Sequence, residues 1–357
     1  MTTKGALIIG GAAVGAIGGL SAWLATRAAS RAASRMLRPT ASLNGKTVFI
    51  TGGSRGLGLQ LAREFANEGC RVAICARDAQ ELERAREDLG REGGSVYTVT
   101  CDITQRDQVQ SAVEEVTRHF GGIDILVNNA GLIQVGPIHS MQLKDFEEAM
   151  AVMFWGTVYP TLSVLPQMRQ RREGRIVNIT SIGGKVSVPH LVPYSCAKFA
   201  QVAFSEGLRA ELMPSGIQVT TIVPGLMRTG SHLNAKFKGQ QAREFAWFSM
   251  GAATPVASIS AERAARSIVR ATKHGSAEKI LSVPANIFAR LHGALPEVTH
   301  PILELINRMM LPSAEGGSEE LISGYEAERK LNSSIHRSLT AMGRYAAHDL
   351  NEVSQTA

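Results

Sequence analysis

Residues Lys46–Gly58 read KTVFITGGSRGLG, and this stretch decides the fold. The residues Thr47–Ile50 are β-branched or aromatic, which predicts a short buried strand. Gly52, Gly56 and Gly58 follow, and the next residues, LQLAREFANEG, take up helical spacing. Glycines permit a tight turn and close backbone approach, and a helix N-terminus offers unpaired N–H groups with a partial positive charge. The stretch therefore predicts a strand, a turn and a helix that cradle a phosphate group.

A second motif lies over the same residues. Gly52-Gly53-Ser54-Arg55-Gly56 matches G-x-S-x-G, the nucleophile elbow of hydrolases, which also stands between a strand and a helix. A plain structural turn is a third interpretation, because glycine clusters are common in turns. The rest of the chain has to decide among the three.

Composition and charge describe an ordinary globular body. The chain has 357 residues, enough for one large domain or two small ones, and a formal net charge of +7. Residues 1–44 contain basic residues and no acid, so the remaining chain is nearly neutral and predicts no nucleic-acid partner. The cysteines lack any metal-binding spacing, so we expect free thiols in a reducing compartment and no metal site: Cys70, Cys75, Cys101 and Cys196.

The N-terminal segment predicts a membrane anchor. Residues Ala6–Ala25 contain no charge, and as a helix they would span roughly 30 Å, the thickness of a bilayer core. Arg27, Arg31 and Arg35 follow as a basic stripe, which places the body on the cytoplasmic side of a single-pass anchor. A cleaved signal peptide, an arginine-rich targeting helix and a disordered extension remain open. We take residues 1–43 as anchor and linker.

Apolar strands alternate with helices along the body. Seven strands are predicted at 46–51, 70–76, 95–100, 123–131, 175–181, 217–225 and 279–283, with helices between them. This alternation is typical of an α/β, doubly wound parallel sheet with helices on both faces, here assigned to residues 44–283. Ligands bind beyond the carboxyl ends of the strands in such a sheet, and the notable residues cluster there.

The motifs, taken together, resemble the short-chain dehydrogenase/reductase family. They are Thr51-Gly52-xxx-Gly56-x-Gly58, Asp102, Asn128-Asn129-Ala130-Gly131, Ser181, Tyr194-xxx-Lys198 and Pro224-Gly225. The resemblance covers residues 44–283 and implies catalytic roles for Ser181, Tyr194 and Lys198. It implies cofactor binding by Thr51, Gly52, Ser54, Arg55, Gly56, Leu57, Gly58, Arg77, Asp102, Asn128, Ala130, Gly131, Tyr194, Lys198, Pro224, Gly225 and Thr229. It disfavours the hydrolase interpretation, and the glycine spacing disfavours a nucleotide-sugar epimerase or dehydratase.

The spacing of Tyr194 and Lys198 suits proton transfer. Residues four apart share a helix face, and a nearby ammonium is expected to lower the pKa of the tyrosine. Tyr194 would then exchange a proton with a carbonyl or alcohol oxygen that Ser181 holds, while a nicotinamide transfers the hydride. Two purely structural interpretations stay open: Asn128 and Asn129 as turn formers, and Asp102 as an N-cap.

One position departs from the family pattern. The family's active-site asparagine occurs as N-x-x-G in the long helix after strand four, where this chain has Met153-Phe154-Trp155-Gly156. Met153 cannot donate an amide hydrogen bond, although its carbonyl could hold a relay water. This departure leaves an alternative function open, that of an NADP(H)-binding regulatory or scaffold protein with little catalysis.

Charge at the end of the second strand predicts the cofactor. NAD-preferring sites place a carboxylate there for the ribose 2′-hydroxyl, whereas this chain has Ala76 followed by Arg77. Arg55 stands in the glycine loop. Two guanidinium groups and no carboxylate suit a 2′-phosphate, so we expect NADP(H).

The resemblance implies a substrate lid at residues 227–260, between strand six and the next helix, and it leaves residues 284–357 as an extension. Apolar residues of the lid favour a lipophilic substrate, or simply pack the lid on the body or on another subunit of a homo-oligomer: Phe237, Phe245, Trp247, Phe248 and Met250. Ile302–Met310 keeps helical spacing. From Ser313 onward the chain is polar, and we expect loose order there. The predicted function is an NADP(H)-dependent reductase or dehydrogenase of a carbonyl/alcohol pair.

Overall fold

The computed structural model describes residues 41–91, 96–254, 258–313 and 315–353. The predicted apolar segment 6–25 and its arginine stripe lie outside these residues. From Leu43 onward the chain forms one compact unit built on a seven-stranded parallel sheet. The prediction of an α/β, doubly wound fold is confirmed.

The elements alternate as the sequence predicts. The sheet strands are β1 (Thr47–Thr51), β2 (Arg71–Ala76), β3 (Val96–Thr100), β4 (Ile125–Asn128), β6 (Gly174–Ile179), β7 (Ile217–Val223) and β11 (Glu278–Ile280). Short strands outside this sheet are β5 (Gln134–Val135), β8 (Leu226–Arg228), β9 (Lys236–Gly239), β10 (Ser258–Ser260) and β12 (Ser318–Ser323). The helices are α1 (Gly56–Asn67), α2 (Ala79–Arg91), α3 (Arg106–Phe120), α4 (Leu143–Ala149), α5 (Gly156–Arg171), α6 (Val192–Leu212), α7 (Gln241–Ala253), α8 (Ala261–His274), α9 (Val283–Ala294), α10 (Pro296–Met310), α11 (Gly324–Leu331), α12 (Ser334–Leu339) and α13 (Ala341–Asp349).

The strand order of the sheet is β11-β7-β6-β4-β1-β2-β3. Strand β1 pairs with β2 on one side and with β4 on the other, with Ile50 opposite Ile74 and Val127. The winding therefore reverses between β1 and β4, and a crevice opens where these strands end. This reversal positions the glycine loop beside the turn that follows Asn128.

The core lies on both faces of the sheet. One cluster joins the strands to α1, α2 and α8, through residues such as Leu61, Leu82 and Ile268. The other joins them to α3 and α5, through residues such as Val113 and Val164. Because both faces are covered, the strands are apolar throughout, and β1 is buried at every residue.

A π-helical segment, Met150–Trp155, joins α4 to α5 and makes one helical stretch from Leu143 to Arg171. By length and composition this stretch alone among the described residues could cross a bilayer. Its buried residues Val164 and Met168 pack into the core beneath the sheet, however, which explains the same apolar composition.

The C-terminal extension corrects a prediction. The helix expected around residues 302–310 is present as α10, but residues beyond Ser313 form β12, α11, α12 and α13 where we expected loose order. β12 pairs antiparallel with β9, and Ile322, Ala327 and Ala347 are buried against the phenylalanines of the lid. Few apolar residues are needed because the lid supplies the rest of this core.

Candidate functional site

The glycine loop between β1 and α1 has the geometry of a phosphate cradle. Gly52 and Gly56 adopt the left-handed φ values of 63° and 56°. A Cβ at Gly58 would stand 2.0 Å from the carbonyl oxygen of Gly52, so no other residue fits there without moving backbone. The side chain of Asn129 donates to the same oxygen at 2.9 Å. The loop thus fits the phosphates of a nucleotide.

This packing predicts the effect of Gly58→Ala. The added methyl group meets backbone, so we expect a loss of roughly 1–3 kcal/mol in stability and weakened dinucleotide binding. Gly90→Ala is the matched control, since a Cβ at that exposed helical position meets nothing. It should be neutral or stabilising by about 1 kcal/mol. Thermal unfolding and dinucleotide titration of both variants check the pair; equal behaviour would contradict the predicted clash.

A cavity of about 760 Å³ follows the carboxyl edge of the sheet. Arg77 and Asp102 line one end, the glycine loop lines the middle, and Tyr194 and Lys198 line the other end. The cofactor residues predicted from the sequence that line it are Gly52, Ser54, Arg55, Gly56, Leu57, Gly58, Arg77, Asp102, Ala130, Gly131, Tyr194 and Lys198. The arrangement offers one continuous site for an elongated ligand.

Five of the predicted cofactor residues do not line the cavity: Thr51, Asn128, Pro224, Gly225 and Thr229. The hydroxyl of Thr51 accepts the N–H groups of Asn129 and Ala130 at 3.1 and 3.2 Å and so holds the turn beside the glycine loop. Asn128 is buried, and its amide donates to Thr161 and Asn178. Asn129, which the prediction omitted, reaches the cavity instead.

Asp102 lines the cavity and also orders its own loop. Its Oδ1 accepts from the backbone N–H and the hydroxyl of Thr104, at 2.9 and 2.8 Å. The N-cap residue of α3 is Gln105. The interpretation of Asp102 as an N-cap is therefore wrong, although it does make the local turn typical of aspartate.

The three predicted catalytic residues come together at the end of β6 and the start of α6. Pro193 stands in the first turn of α6, a position that proline favours, and Tyr194 follows. Ser181 stands beside Tyr194, and its Oγ accepts the N–H of Gly183 at 3.0 Å. A Cβ at Gly183 would lie 3.0 Å from the Tyr194 ring, so this glycine leaves room for the phenol. Tyr194 lines the cavity whereas Ser181 does not, so a ligand in the cavity meets the phenol directly.

The pKa of Tyr194 moves against the predicted direction. Burial raises the pKa of its phenol above the ordinary value, and the neighbouring Ser181 hydroxyl opposes that rise. The Nζ of Lys198 lies 5.9 Å from the centroid of the tyrosine ring. The expectation that the ammonium lowers the tyrosine pKa is wrong for the chain alone, because desolvation of the phenolate outweighs the more distant charge.

Lys198 is held by a buried chain of hydrogen bonds. Its Nζ donates to the carbonyl of Ile179 and to Oε1 of Gln201, both at 2.9 Å. Gln201 donates to Thr157 at 2.7 Å, and Thr157 donates to the carbonyl of Met153 at 2.8 Å. Burial lowers the pKa of Lys198 to about 7. The Met153 carbonyl is therefore linked to Lys198 through side chains.

A carboxylate missed by the sequence analysis stands beside Arg55. Glu81, in the first turn of α2, accepts from Arg55 at 2.8 Å and from the Ser54 hydroxyl at 3.0 Å. Glu352 lies 3.5 Å from Arg55 on its other side. The premise that this end holds no carboxylate is wrong. The chain fold brings both acids there, and no spacing within the glycine loop signals them.

The far end of the cavity mixes apolar and charged side chains. Leu132, Ile133, Val152 and Met227 line it near Tyr194, together with an ion pair between Lys236 and Glu148. The lid aromatics do not line the cavity. Phe237, Phe245 and Phe248 are buried in the cluster under the lid, as the packing alternative predicted.

Comparisons with known proteins agree with this geometry. The family model for short chain dehydrogenase matches residues 46–239, more than half of the chain. An Anopheles gambiae protein, Dehydrogenase/reductase SDR family protein 7-like, is 42% identical over 198 residues. The match covers 54% of this chain and 62% of that relative, so the chain matches less than two thirds of the relative's length.

Solved structures extend the likeness. A short-chain dehydrogenase from Streptomyces avermitilis superposes with a TM-score of 0.64 at 27% identity, covering 75% of this chain and 99% of its own. A gluconate 5-dehydrogenase from Burkholderia cenocepacia, solved with NADP and tartrate, gives 0.59 at 25% identity, covering 69% and 96%. The chain belongs to the short-chain dehydrogenase/reductase family.

Proposed function

We propose that this protein is an NADP(H)-dependent oxidoreductase that interconverts a carbonyl group and an alcohol. The observation that carries the proposal is the single cavity that joins the glycine loop to Tyr194 and Lys198. One elongated dinucleotide would lie with its phosphates at the loop and its reactive end beside the tyrosine. When bound, the nicotinamide supplies or accepts the hydride.

The chain's own residues supply orientation and the proton. Ser181 and Tyr194 hold the substrate oxygen by hydrogen bonds, and Tyr194 gives its proton to that oxygen during reduction. The phenolate that remains is stabilised by the ammonium of Lys198, which Gln201 and the Ile179 carbonyl keep in place.

A cofactor-consumption screen tests the proposal. Purified protein is given NADPH or NADH with panels of ketones and aldehydes, and the oxidised cofactor with the matching alcohols. We expect substrate-dependent turnover with at least one carbonyl class. Tight dinucleotide binding without any turnover would instead favour the regulatory or scaffold alternative, which the Met153 substitution supports.

The preference for NADP(H) rests on Arg77. It is exposed just after β2, lines the cavity, and makes no hydrogen bond or ion pair with another described residue. Arg55, by contrast, is engaged by Glu81 and Glu352. The Burkholderia relative was solved with NADP, which independently supports NADP(H) as the cofactor proposed here. We therefore assign the 2′-phosphate chiefly to Arg77.

Replacing Arg77 by alanine is expected to raise the Kd for NADPH by roughly 10- to 100-fold and leave that for NADH unchanged, because one charge-assisted contact is worth roughly 1.5–3 kcal/mol. Arg91→Ala, at the far end of α2, is the control. Isothermal titration with both cofactors checks the result. An equal loss for NADPH and NADH would show that Arg77 does not read the 2′-phosphate.

Two broader parts of the proposal concern the substrate and the location. The apolar residues Leu132, Ile133, Val152 and Met227 support a lipophilic substrate.

The uncharged run at residues 6–25 supports a single-pass anchor with the body on the cytoplasmic side. Deleting residues 1–38 should release the protein from membranes into the soluble fraction without changing turnover; retention in the membrane fraction would contradict the anchor.

A further inference from the structure

The end of the described chain lies on the glycine loop. We call residues Asp349–Val353 the C-terminal strap. The backbone N–H of Gly56, at the start of α1, donates to the carbonyl of Leu350 at 2.8 Å. The amide of Asn351 donates to the carbonyl of Ser54 at 2.9 Å. The strap therefore pairs with the backbone of the loop itself.

Neighbouring helices fix the strap in this position. Arg84 on α2 donates to Oδ1 of Asn351 at 2.9 Å, and Arg63 on α1 donates to the carbonyl of Asp349 at 2.8 Å. Asn351 has a φ of 53°, a left-handed conformation that asparagine tolerates better than most residues. These contacts join the strap to both helices that flank the phosphate cradle.

Glu352 brings a carboxylate to the cradle. The residue is only 6% exposed, and its Oε1 would lie 2.5 Å from a Cβ placed on Gly56. Its other oxygen accepts from Asn234 at 2.6 Å, and Arg55 lies 3.5 Å away. Glu352 lines the same cavity as Gly56, Leu57 and Gly58. An acidic side chain of this protein thus stands where a helix N-terminus attracts anions.

A dinucleotide and the strap compete for this place. A ligand that reaches from Arg77 to Tyr194 has to pass the glycine loop with its negatively charged phosphates. Burial raises the pKa of Glu352 to about 7, so above that pH its carboxylate would meet those phosphates with like charge. At any pH Leu350 already takes the first N–H of α1. The strap and the phosphates would therefore need the same N–H donor and the same space beside Gly56.

We propose that the C-terminal strap is an intramolecular ligand of the phosphate cradle, and that a nicotinamide dinucleotide binds by displacing it. This rests on the proposed function only in taking a dinucleotide as the ligand of the cavity. Helix α13 holds the strap near the site, because Ala347 is fully buried against Gly230 and the lid. Residues 350–353 can then leave the loop while α13 stays in place.

Cofactor titration of strap variants of the full chain tests the proposal. Asn351→Ala removes the contacts to Ser54 and Arg84, Glu352→Gln removes the competing charge, and a chain ending at Asp349 removes most of the strap. If the strap holds the site nine-tenths of the time, the truncated chain should show about a tenfold lower Kd for NADPH and NADH. Glu297→Gln, an exposed residue on α10, is the charge-matched control and should change neither Kd.

Hydrogen exchange at residues 350–353 provides a second readout that does not depend on catalysis. Saturating NADPH should speed exchange of these amides in the wild-type chain, since the strap is released. Slower exchange, or weaker binding after truncation, would overturn the proposal and show that the C-terminal strap clamps the bound cofactor. Equal Kd values for all variants would overturn it as well. Failure of every variant to bind either dinucleotide would instead refute the proposed function.

Discussion

Replacing Tyr194 by phenylalanine is expected to lower turnover about a thousandfold, the range over which a positioned general acid acts, while dinucleotide affinity stays unchanged. The phenol is the proton donor nearest the substrate oxygen in the proposed geometry, and Ser181 stands beside it. The variant keeps the ring that packs against Met153 and Ala197 and loses only the hydroxyl. Steady-state kinetics with NADPH and the best carbonyl from the screen give the rates.

Tyr345→Phe is the matched control, because Tyr345 is 82% exposed on α13 and lies away from the cavity lining. It should keep wild-type turnover. If Tyr194→Phe also keeps its turnover, Tyr194 is not the proton donor. If Tyr194→Phe loses dinucleotide binding together with turnover, the substitution has disturbed the cofactor site, and the loss of turnover does not identify Tyr194 as the proton donor.

The second large effect is expected at Gln201, a positioning residue for Lys198. Reduction needs the ammonium form of Lys198 to stabilise the Tyr194 phenolate, and the pKa of Lys198 is about 7. The value of kcat/KM for carbonyl reduction should therefore fall as the pH rises through about 7. Gln201→Leu removes an acceptor from the ammonium, which disfavours the charged form. A hydrogen bond to a charged group is worth roughly 1.5–3 kcal/mol, so the inflection should move down by about one to two pH units.

Gln201→Glu gives the opposite shift. A carboxylate beside the ammonium favours the charged form of Lys198, so the inflection should move above pH 7. Gln110→Leu, on the exposed face of α3, controls for the loss of a glutamine and should leave the profile unchanged. Rate profiles between about pH 5 and about pH 9 separate these cases. A loss of rate with the same inflection in both Gln201 variants would indicate a packing role only.

The sequence predicts the sheet, and the positions of Tyr194 and Lys198 on one helix beside it, because both depend on local rules. Buried strands read as apolar runs, and the residues after Ile50, Asn128 and Ile179 fall at one edge once the strands are parallel. The spacing of Tyr194 and Lys198 places both on one helix face for the same reason. None of these predictions needs contacts between distant segments.

The phosphate end was harder to predict because distant segments complete it. Glu81 reaches Arg55 from a different helix, and Glu352 reaches it from the end of the chain. The extension looked polar because its few apolar residues, such as Ile322 and Ala347, use the lid as the other half of their core. One local signal was present: Ser323 and Glu326 form a capping box that starts α11.

Transfer of deuterium from deuterated NADPH to the carbonyl carbon of a substrate tests the central claim most directly. Mass spectrometry of the product reports the transfer without any assumption about rates. The wild-type chain should give an alcohol labelled on its carbinol carbon, Tyr345→Phe should match it, and Tyr194→Phe should give almost none. Bound NADPH with no labelled alcohol from any carbonyl class, or equal labelling by Tyr194→Phe, would contradict the account.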